Sequence, residues 1–277
     1  MLVVGCSLPA TSHQLSATKI NIMLLEIRDV VAGYLKGVDV LQHINLHVNE
    51  GEMVCLIGPN GAGKSTVLRA ISGLLKPSQG QILFDGKDLG GLRPDQVLQK
   101  GIAHVPQGHS AFPKMSVEEN LLMGAYLLKD RAERRKRTAR VYEMFDMLAG
   151  RRQENAGNLS GGQQKVLEIG RALMMNPRLI LFDEPSLGLA PRIARQVFDT
   201  IKQLQAEGGI TVLVVEQNAR SGLAISDRAY VLELGKDRLE GPAQTLLNDP
   251  RVAQLYLGGS TLDEVSEVVK EMVQEVL

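Results

Sequence analysis

The sequence is poor in several features that mark whole classes of protein. It contains no tryptophan, only two cysteines, and equal numbers of basic and acidic residues, 31 of each. Two cysteines, Cys6 and Cys55, are too few to suggest a disulfide framework or a zinc site, so a reducing compartment is expected. The lack of net charge gives no support for nucleic acid or an anionic membrane as the main partner.

The sequence also lacks a long hydrophobic run. No segment approaches the roughly 20 apolar residues that span a bilayer, so any attachment to a membrane is expected to come through a partner. At 277 residues the chain is long enough for one large domain or two small ones, each with a real core. Residues 1–23 show no periodicity and are expected to be a disordered N-terminal extension or the result of a mis-assigned translation start.

A glycine-rich segment carries the first positive signal. It fits the phosphate-loop pattern GxxxxGK[ST] and lies between an apolar strand, 53–57, and a run with helical spacing. Amides at such a helix N-terminus can cradle phosphates, and Lys64 would add a charge at the β- and γ-phosphates. Ser65 is placed to bind Mg²⁺, with Thr66 as a supporting hydrogen-bonding group. The alternative is a flexible glycine turn before a helix. The segment reads Gly58, Pro59, Asn60, Gly61, Ala62, Gly63, Lys64, Ser65 and Thr66.

Two acids follow a second apolar strand. Residues 179–182 are typical of a buried parallel strand, and Asp183 and Glu184 come directly after them. Chemistry in doubly wound sheets lies at the carboxyl ends of the strands. We therefore expect Asp183 to hold Mg²⁺ and Glu184 to polarise the attacking water. The alternative, a strand that ends in a polar turn, does not explain an acid pair after a phosphate loop.

Three further signals are ambiguous when taken alone. Tyr34 could stack under an adenine ring, although its spacing favours an ordinary half-buried strand tyrosine. Gln107 is a neutral amide at the exit of the strand 102–105. The segment 159–163, Leu-Ser-Gly-Gly-Gln, is a plausible helix cap that could also take an anion. The basic run 131–140 is best interpreted as a solvated helix face rather than a binding patch.

Taken together, the motifs resemble those of the ATP-binding subunit of ABC transporters over about residues 24–259. The order is the phosphate loop, Gln107, LSGGQ and LILFDE, and LSGGQ is the discriminating motif because other phosphate-loop ATPases lack it. The resemblance implies an α/β fold: a P-loop NTPase core with an antiparallel β subdomain and a helical subdomain at about residues 108–176. It implies ATP and Mg²⁺ as cofactors, Tyr34 as the adenine-stacking aromatic, and Gln107 as a residue that touches Mg²⁺ and senses the membrane partner.

The resemblance also implies that the chain works as a pair. Ser160, Gly161, Gly162 and Gln163 of one subunit would close on ATP held by the phosphate loop of a second, identical or homologous, ATPase subunit. Two positions depart from the family pattern. Gln217 stands where most members have a histidine that touches the γ-phosphate, and Ala190 stands where many have an aspartate. The amide of Gln217 can donate to a phosphate but cannot carry a proton at neutral pH.

A finer resemblance concerns the cargo. The segments 184–191 and 215–219 and the closing Tyr256-Leu257-Gly258-Gly259 resemble the second ATPase of branched-chain or neutral amino acid importers. That likeness implies membrane permeases as direct partners, a solute-binding protein as an indirect one, and a peripheral place on the cytoplasmic face of the plasma membrane. The alternatives are the ATPase of a lipopolysaccharide exporter, a soluble ABC ATPase not tied to transport, and a subunit that binds ATP without cleaving it. Residues 260–277 are expected to form an amphipathic C-terminal helix that packs on the ATPase or its partner.

Overall fold

The computed structural model describes residues 22–257. Residues 1–21 of the expected N-terminal extension, and the expected amphipathic helix at residues 260–277, lie outside the described residues. Within residues 22–257, no helix has both the length and the apolarity needed to cross a membrane.

The strands are β1 Met23–Ala32, β2 Leu41–Asn49, β3 Met53–Ile57, β4 Gln79–Phe84, β5 Lys87–Asp88, β6 Ile102–Val105, β7 Leu179–Asp183, β8 Thr211–Glu216, β9 Arg228–Glu233 and β10 Lys236–Pro242. The helices are α1 Lys64–Ile71, α2 Pro94–Gln99, α3 Val117–Gly124, α4 Arg131–Met144, α5 Asp146–Ala149, α6 Gly161–Leu173, α7 Pro191–Gly208, α8 Ala219–Ile225, α9 Ala243–Leu247 and α10 Pro250–Leu257.

The larger sheet has six strands in the order β10-β9-β3-β8-β7-β6. Five of them run parallel, and only β10 is antiparallel to its neighbour. Strands β3, β7 and β8 are buried at every position because both faces of the sheet are covered, one by helices and the other by α1 and the smaller sheet. The apolar runs in the sequence therefore lack the alternation of a half-exposed strand.

Alternate side chains of each strand enter two different cores. Val54 and Leu56 of β3 point to one face, where they pack with α1 and the antiparallel sheet. Cys55 and Ile57 point to the other face, where α6, α7, α8 and α10 cover them. The phosphate-loop strand thus lies between two apolar layers.

The parallel order brings the carboxyl ends of three central strands to one edge. Ile57 pairs with Glu216, and Asp183 pairs with Val215. The loops that leave β3 and β7 therefore begin one strand spacing on either side of the loop that leaves β8. The motifs that the sequence separates by more than one hundred residues meet at this edge.

A smaller antiparallel sheet has the strand order β2-β1-β4-β5. It shares an apolar core with α1, so the connection between β1 and β2 lies near the N-terminal end of that helix. Helices α3, α4, α5 and α6 enclose a third core that includes Val117, Leu121, Val141 and Leu167. The helical pattern between residues 116 and 150 is resolved into α3, α4 and α5. The first two begin at the capping side chains of Ser116 and Asp130.

Candidate active site

The phosphate loop joins β3 to α1, and a close backbone approach or a left-handed backbone requires glycine at two of its positions. At Gly58 a Cβ atom would collide with the carbonyl oxygen of Leu232. Gly63, the residue before α1, has a φ of 100° in the left-handed region, which favours glycine. The turn between β9 and β10 supports the loop, because the Gly235 amide donates to the Ala62 carbonyl at 3.0 Å. Between these points, Asn60 and Gly61 are exposed.

Lys64 is held at the start of α1 with its ammonium inside the loop. Its Nζ atom donates to the carbonyls of Gly58 at 2.7 Å and Pro59 at 3.0 Å. Burial lowers the pKa of Lys64, and the nearby carboxylates of Glu184 and Asp183 oppose that shift. The loop therefore already holds a cation at its centre, and phosphate oxygens would replace the carbonyls as its partners.

Ser65 and Asp183 bring two oxygens together across the edge of the sheet. The Ser65 hydroxyl donates to Asp183 Oδ1 at 2.8 Å. Burial raises the pKa of Asp183, and the bond from Ser65 partly offsets this. A hydroxyl and a carboxylate are hard ligands that suit Mg²⁺, which binds through one or two protein groups together with substrate phosphates. The described part of the chain contains no cluster of three His, Cys, Asp or Glu side chains that could hold a metal by themselves.

Glu184 has an unusual backbone that aims its side chain. Its φ of 46° lies in the left-handed region, which is uncommon for a residue with a Cβ atom. Its amide donates to the Val215 carbonyl at 2.9 Å, so the residue stays attached to the sheet. Gln107, at the exit of β6, donates through Nε2 to Glu184 Oε2 at 2.7 Å. The structure thus brings Gln107 and Glu184 into direct contact.

Tyr34 lies in the connection between β1 and β2, beside α1. Its hydroxyl is 3.3 Å from the Thr66 hydroxyl and accepts from Arg69 at 3.2 Å. The Arg69 guanidinium lies 5.7 Å from the centre of the ring. The side chain of Tyr34 is nonetheless 51% exposed, so part of the ring is open to a planar ligand.

The LSGGQ segment forms the N-terminus of α6. The Ser160 amide donates to the Gln163 side chain at 3.0 Å, and the Ser160 hydroxyl accepts from the Gln163 amide at 3.4 Å. This is a capping box, which leaves the amides of Gly161 and Gly162 at the surface end of the helix. Within residues 22–257, no hydrogen bond joins this segment to the phosphate loop. The structure therefore does not bring these two anion-binding segments together in one chain.

The two positions that depart from the family pattern lie in solvent. Gln217 is exposed directly after β8, and Ala190 is exposed directly before α7. Between them is a site residue that the motifs did not indicate, Glu216, which is 2% exposed. Its carboxylate accepts from the Ser186 amide at 3.2 Å and from the Ser186 hydroxyl at 3.0 Å. Burial raises the pKa of Glu216 to about 7. Glu216 could have been predicted from the sequence by its position at the carboxyl end of a central strand.

A second missed group fixes the loop that follows Gln107. Lys165 and Glu168 of α6 form a buried ion pair at 2.7 Å. Lys165 also donates to the Gly108 carbonyl at 2.7 Å, and Glu168 accepts from the amides of Ser110 and Ala111. In the sequence this pair has the spacing of an ordinary surface pair on a helix, so nothing local reveals its burial.

A groove of about 450 Å³ opens between the larger sheet and the helical layer. Its lining includes apolar side chains that are exposed in this chain, namely Leu74, Phe112, Met123 and Tyr126. Ser110, which the α6 pair holds in place, also lines the groove. The groove therefore touches the same loop that follows Gln107.

Comparison with known proteins assigns the family. A family model described as ABC transporter matches residues 41–187. The chain is 45% identical over 231 residues to the high-affinity branched-chain amino acid transport ATP-binding protein BraG of Pseudomonas aeruginosa, covering 83% of this chain and 98% of BraG. It is 37% identical over 226 residues to the lipopolysaccharide export system ATP-binding protein LptB of Haemophilus influenzae, covering 80% of this chain and 92% of LptB.

Solved structures show the same fold. The ADP conformation of MJ1267, an ATP-binding cassette of an ABC transporter, superposes with a TM-score of 0.79 at 33% identity, covering 86% of this chain and 99% of that one. The dimeric post-hydrolysis state of the cassette MJ0796, bound to ADP and phosphate, gives a TM-score of 0.69 at 29% identity, covering 79% and 99%. The fold and family expected from the motifs are thereby confirmed. The chain belongs to the ABC ATP-binding cassette family, the ATP-hydrolysing subunits of ABC transporters.

Proposed function

We propose that this ATPase drives uptake of branched-chain or other neutral amino acids through a pair of membrane permeases. The observation that carries the chemistry is the convergence of Lys64, Ser65, Asp183 and Glu184 at one edge of the sheet. The observation that supports the cargo is the likeness to BraG over nearly the whole length of that protein. Its 45% identity exceeds the 37% shared with LptB.

The loop and the first turn of α1 bind the nucleotide. Lys64 and the backbone amides at the start of α1 hold the β- and γ-phosphates, with Thr66 as a supporting contact. Ser65, Asp183 and Gln107 are the side chains that would hold Mg²⁺, and the ion would neutralise charge that develops on the phosphates. Tyr34 stacks on the adenine through the open part of its ring.

Glu184 acts as the general base for the attacking water. Its φ of 46° and its bond from Gln107 aim the carboxylate at the same edge of the sheet as Lys64. A positioned base accepts a proton from water as the oxygen attacks the γ-phosphorus and the bond to the ADP oxygen breaks. The exposed Gln217 donates to the γ-phosphate in place of the family histidine. Gln107 contacts Glu184 and therefore reports the state of the site to the loop that follows it.

The complete site is formed by two chains. Ser160 is exposed, and Gly161, Gly162 and Gln163 are half-buried. None of the four makes a hydrogen bond to its own phosphate loop, which supports a role on the nucleotide of a partner ATPase. The dimeric cassette MJ0796 bound to ADP and phosphate is a relative in which two such chains pair. We propose that this chain pairs with itself or with a homologous ATPase.

The groove beside the Gln107 loop is the docking place for a permease segment. Exposed apolar side chains such as Phe112 and Tyr126 would be covered there by an apolar segment of a membrane protein. Contact at Ser110 would pass through the loop to Gln107 and Glu184. We therefore propose a peripheral position for the subunit at the cytoplasmic face of the plasma membrane, with a solute-binding protein acting on the other side.

A second candidate is the ATPase of a lipopolysaccharide exporter, which the likeness to LptB favours. Gln217 counts against this candidate, because the lipopolysaccharide exporters are expected to keep, at this position, the family histidine that touches the γ-phosphate.

One experiment separates the two candidates. The full chain, tagged and expressed in its own cells, is purified with its membrane partners, and the co-purified chains are identified. The complex is then reconstituted in vesicles, with a Glu184→Gln complex as the matched control. We expect permeases of the amino acid type and ATP-dependent leucine accumulation that the control lacks. Co-purified exporter subunits, or leucine accumulation equal to that of the control, would contradict the proposed cargo.

A further inference from the structure

The hydroxyl of Tyr256 reaches the entry of the phosphate loop from helix α10. It accepts a hydrogen bond from the Gly58 amide at 2.7 Å, across 198 residues of sequence. The ring packs against the apolar core on that face of the larger sheet. The nucleotide chemistry described above gives this tyrosine no role, although it reaches the first residue of the phosphate loop.

The Gly58 amide depends on this contact. Strand β3 ends at Ile57, which pairs with β8 and β9, so Gly58 lies just past the sheet ladder. Gly58 is buried, and a buried N–H group without a partner is costly. Burial raises the pKa of Tyr256, so the hydroxyl stays neutral and keeps accepting this bond at physiological pH.

The same glycine is also tied to the catalytic lysine. Its carbonyl accepts from Lys64 Nζ at 2.7 Å, while its amide donates to Tyr256. The position of Gly58 is further fixed because a Cβ atom there would collide with the Leu232 carbonyl. Tyr256 and Lys64 therefore hold the two polar groups of a single residue at the point where the chain turns from strand to loop.

We propose that Tyr256 is a positioning residue for nucleotide binding. Its hydroxyl holds Gly58 so that the phosphate loop is preorganised for the nucleotide. This contact links the docking of α10 on the larger sheet to occupancy of the nucleotide site. Preorganisation strengthens binding because it reduces the conformational entropy that the loop loses when the ligand binds. The linkage is reciprocal, so a nucleotide that binds the ordered loop also favours docked α10. The inference rests on the assignment of residues 58–66 as the phosphate loop.

The test is Tyr256→Phe in the full chain, which keeps the ring in the core and removes only the hydroxyl. Because the variant loses a single neutral hydrogen bond, we expect the Kd for MgADP to rise about 2- to 10-fold. We expect the KM for MgATP to rise by a similar factor while kcat at saturation stays within about 2-fold, because the groups that do the chemistry are unchanged. Equilibrium binding by calorimetry and steady-state ATPase assays measure both.

The matched control is Tyr230→Phe. The Tyr230 hydroxyl is also buried and also accepts from a backbone amide, that of His47 at 3.0 Å, but it lies away from the phosphate loop. We expect this variant to lose stability and to bind MgADP as the wild type does. An unchanged Kd in Tyr256→Phe, or an equal rise in Tyr230→Phe, overturns the inference.

Two further measurements complete the test. In the wild type, MgADP should slow hydrogen exchange of the α10 amides by a factor similar to the change in Kd, and unchanged exchange would overturn the linkage. Lys64→Ala separates this inference from the loop assignment. Lost nucleotide affinity in Lys64→Ala together with normal affinity in Tyr256→Phe rejects the role of Tyr256 alone. Normal affinity in Lys64→Ala rejects the phosphate loop and the inference with it.

Discussion

Replacing Lys165 with methionine should destabilise the chain by leaving a buried carboxylate without its counter-ion. The side chains of Lys165 and Glu168 are 4% and 1% exposed, and their charged atoms are 2.7 Å apart. Methionine fills a similar volume and carries no charge. Glu168 would then keep only the amides of Ser110 and Ala111, together with the nearby positive charge of Arg171.

The magnitude follows from what is lost and what remains. Removing one partner of a buried ion pair costs about 3–5 kcal/mol in free energy of unfolding. The two amide bonds and Arg171 still compensate the carboxylate in part, so we expect the lower end, about 3 kcal/mol. The Gly108 carbonyl also loses its donor, which adds about 1 kcal/mol. The expected total for Lys165→Met is about 4 kcal/mol.

The double variant Lys165→Met/Glu168→Gln is the matched control. It removes both charges, while the amide oxygen of the glutamine can still accept from Ser110 and Ala111, so we expect a cost of only about 1–2 kcal/mol. Urea unfolding followed by circular dichroism and by tyrosine fluorescence gives both values and tests for two-state behaviour. A cost below about 1 kcal/mol for Lys165→Met, or a double variant no more stable than the single one, would refute the argument.

Three further predictions concern the site itself. Glu184→Gln should retain MgATP binding and lose about 10²- to 10⁴-fold in kcat, as single-turnover assays would show; near-normal turnover would reject Glu184 as the base. Lys64→Ala should weaken MgATP binding at least about 10-fold in calorimetry, since it removes a charge-assisted donor, and unchanged affinity would reject its role. Burial raises the pKa of Glu216 to about 7 from 4.5, so the folded carboxyl holds its proton more tightly than the unfolded one. The free energy of unfolding should therefore fall by about 3 kcal/mol as pH rises through that window, and Glu216→Gln, which can still bond Ser186, should flatten this slope in urea titrations from about pH 5 to pH 8. A slope unchanged in the variant would reject the shift.

The elements that the sequence predicted most accurately are those whose local hydrophobic pattern agrees with their burial in the structure. The strands at 53–57 and 102–105 have the predicted bounds, because each is a short apolar run between turn residues. Helix α7, Pro191–Gly208, was not predicted, although Val197, Ile201 and Leu204 recur at helical spacing and are buried. Its polar positions diluted the pattern, and the proline at its start marked a turn as readily as a helix.

The contacts that connect distant segments could not be predicted in the same way. Asp183 and Glu184 were found because the carboxyl end of a buried strand is a general location for chemistry. Tyr256 meets Gly58 only because α10 packs on the larger sheet 198 residues later. Lys165 and Glu168 are buried only because residues 108–111 fold over them. In both cases the deciding partner is remote in sequence and leaves no local signal.

These remote contacts also connect two ends of the chain that would serve different nucleotides. Glu184 is bonded to Gln107, and the loop after Gln107 is bonded to Lys165 and Glu168 of α6. Helix α6 begins at the LSGGQ segment, four residues before Lys165. In the proposed dimer, Glu184 acts on the nucleotide of its own chain and Ser160 on that of the partner. A shift of Gln107 at one nucleotide would therefore move the N-terminus of α6 at the partner's nucleotide, through the loop that follows Gln107 alone. Because the groove that would dock a permease touches the same loop at Ser110, displacement of that loop would be the step that couples both nucleotides to the proposed membrane partner.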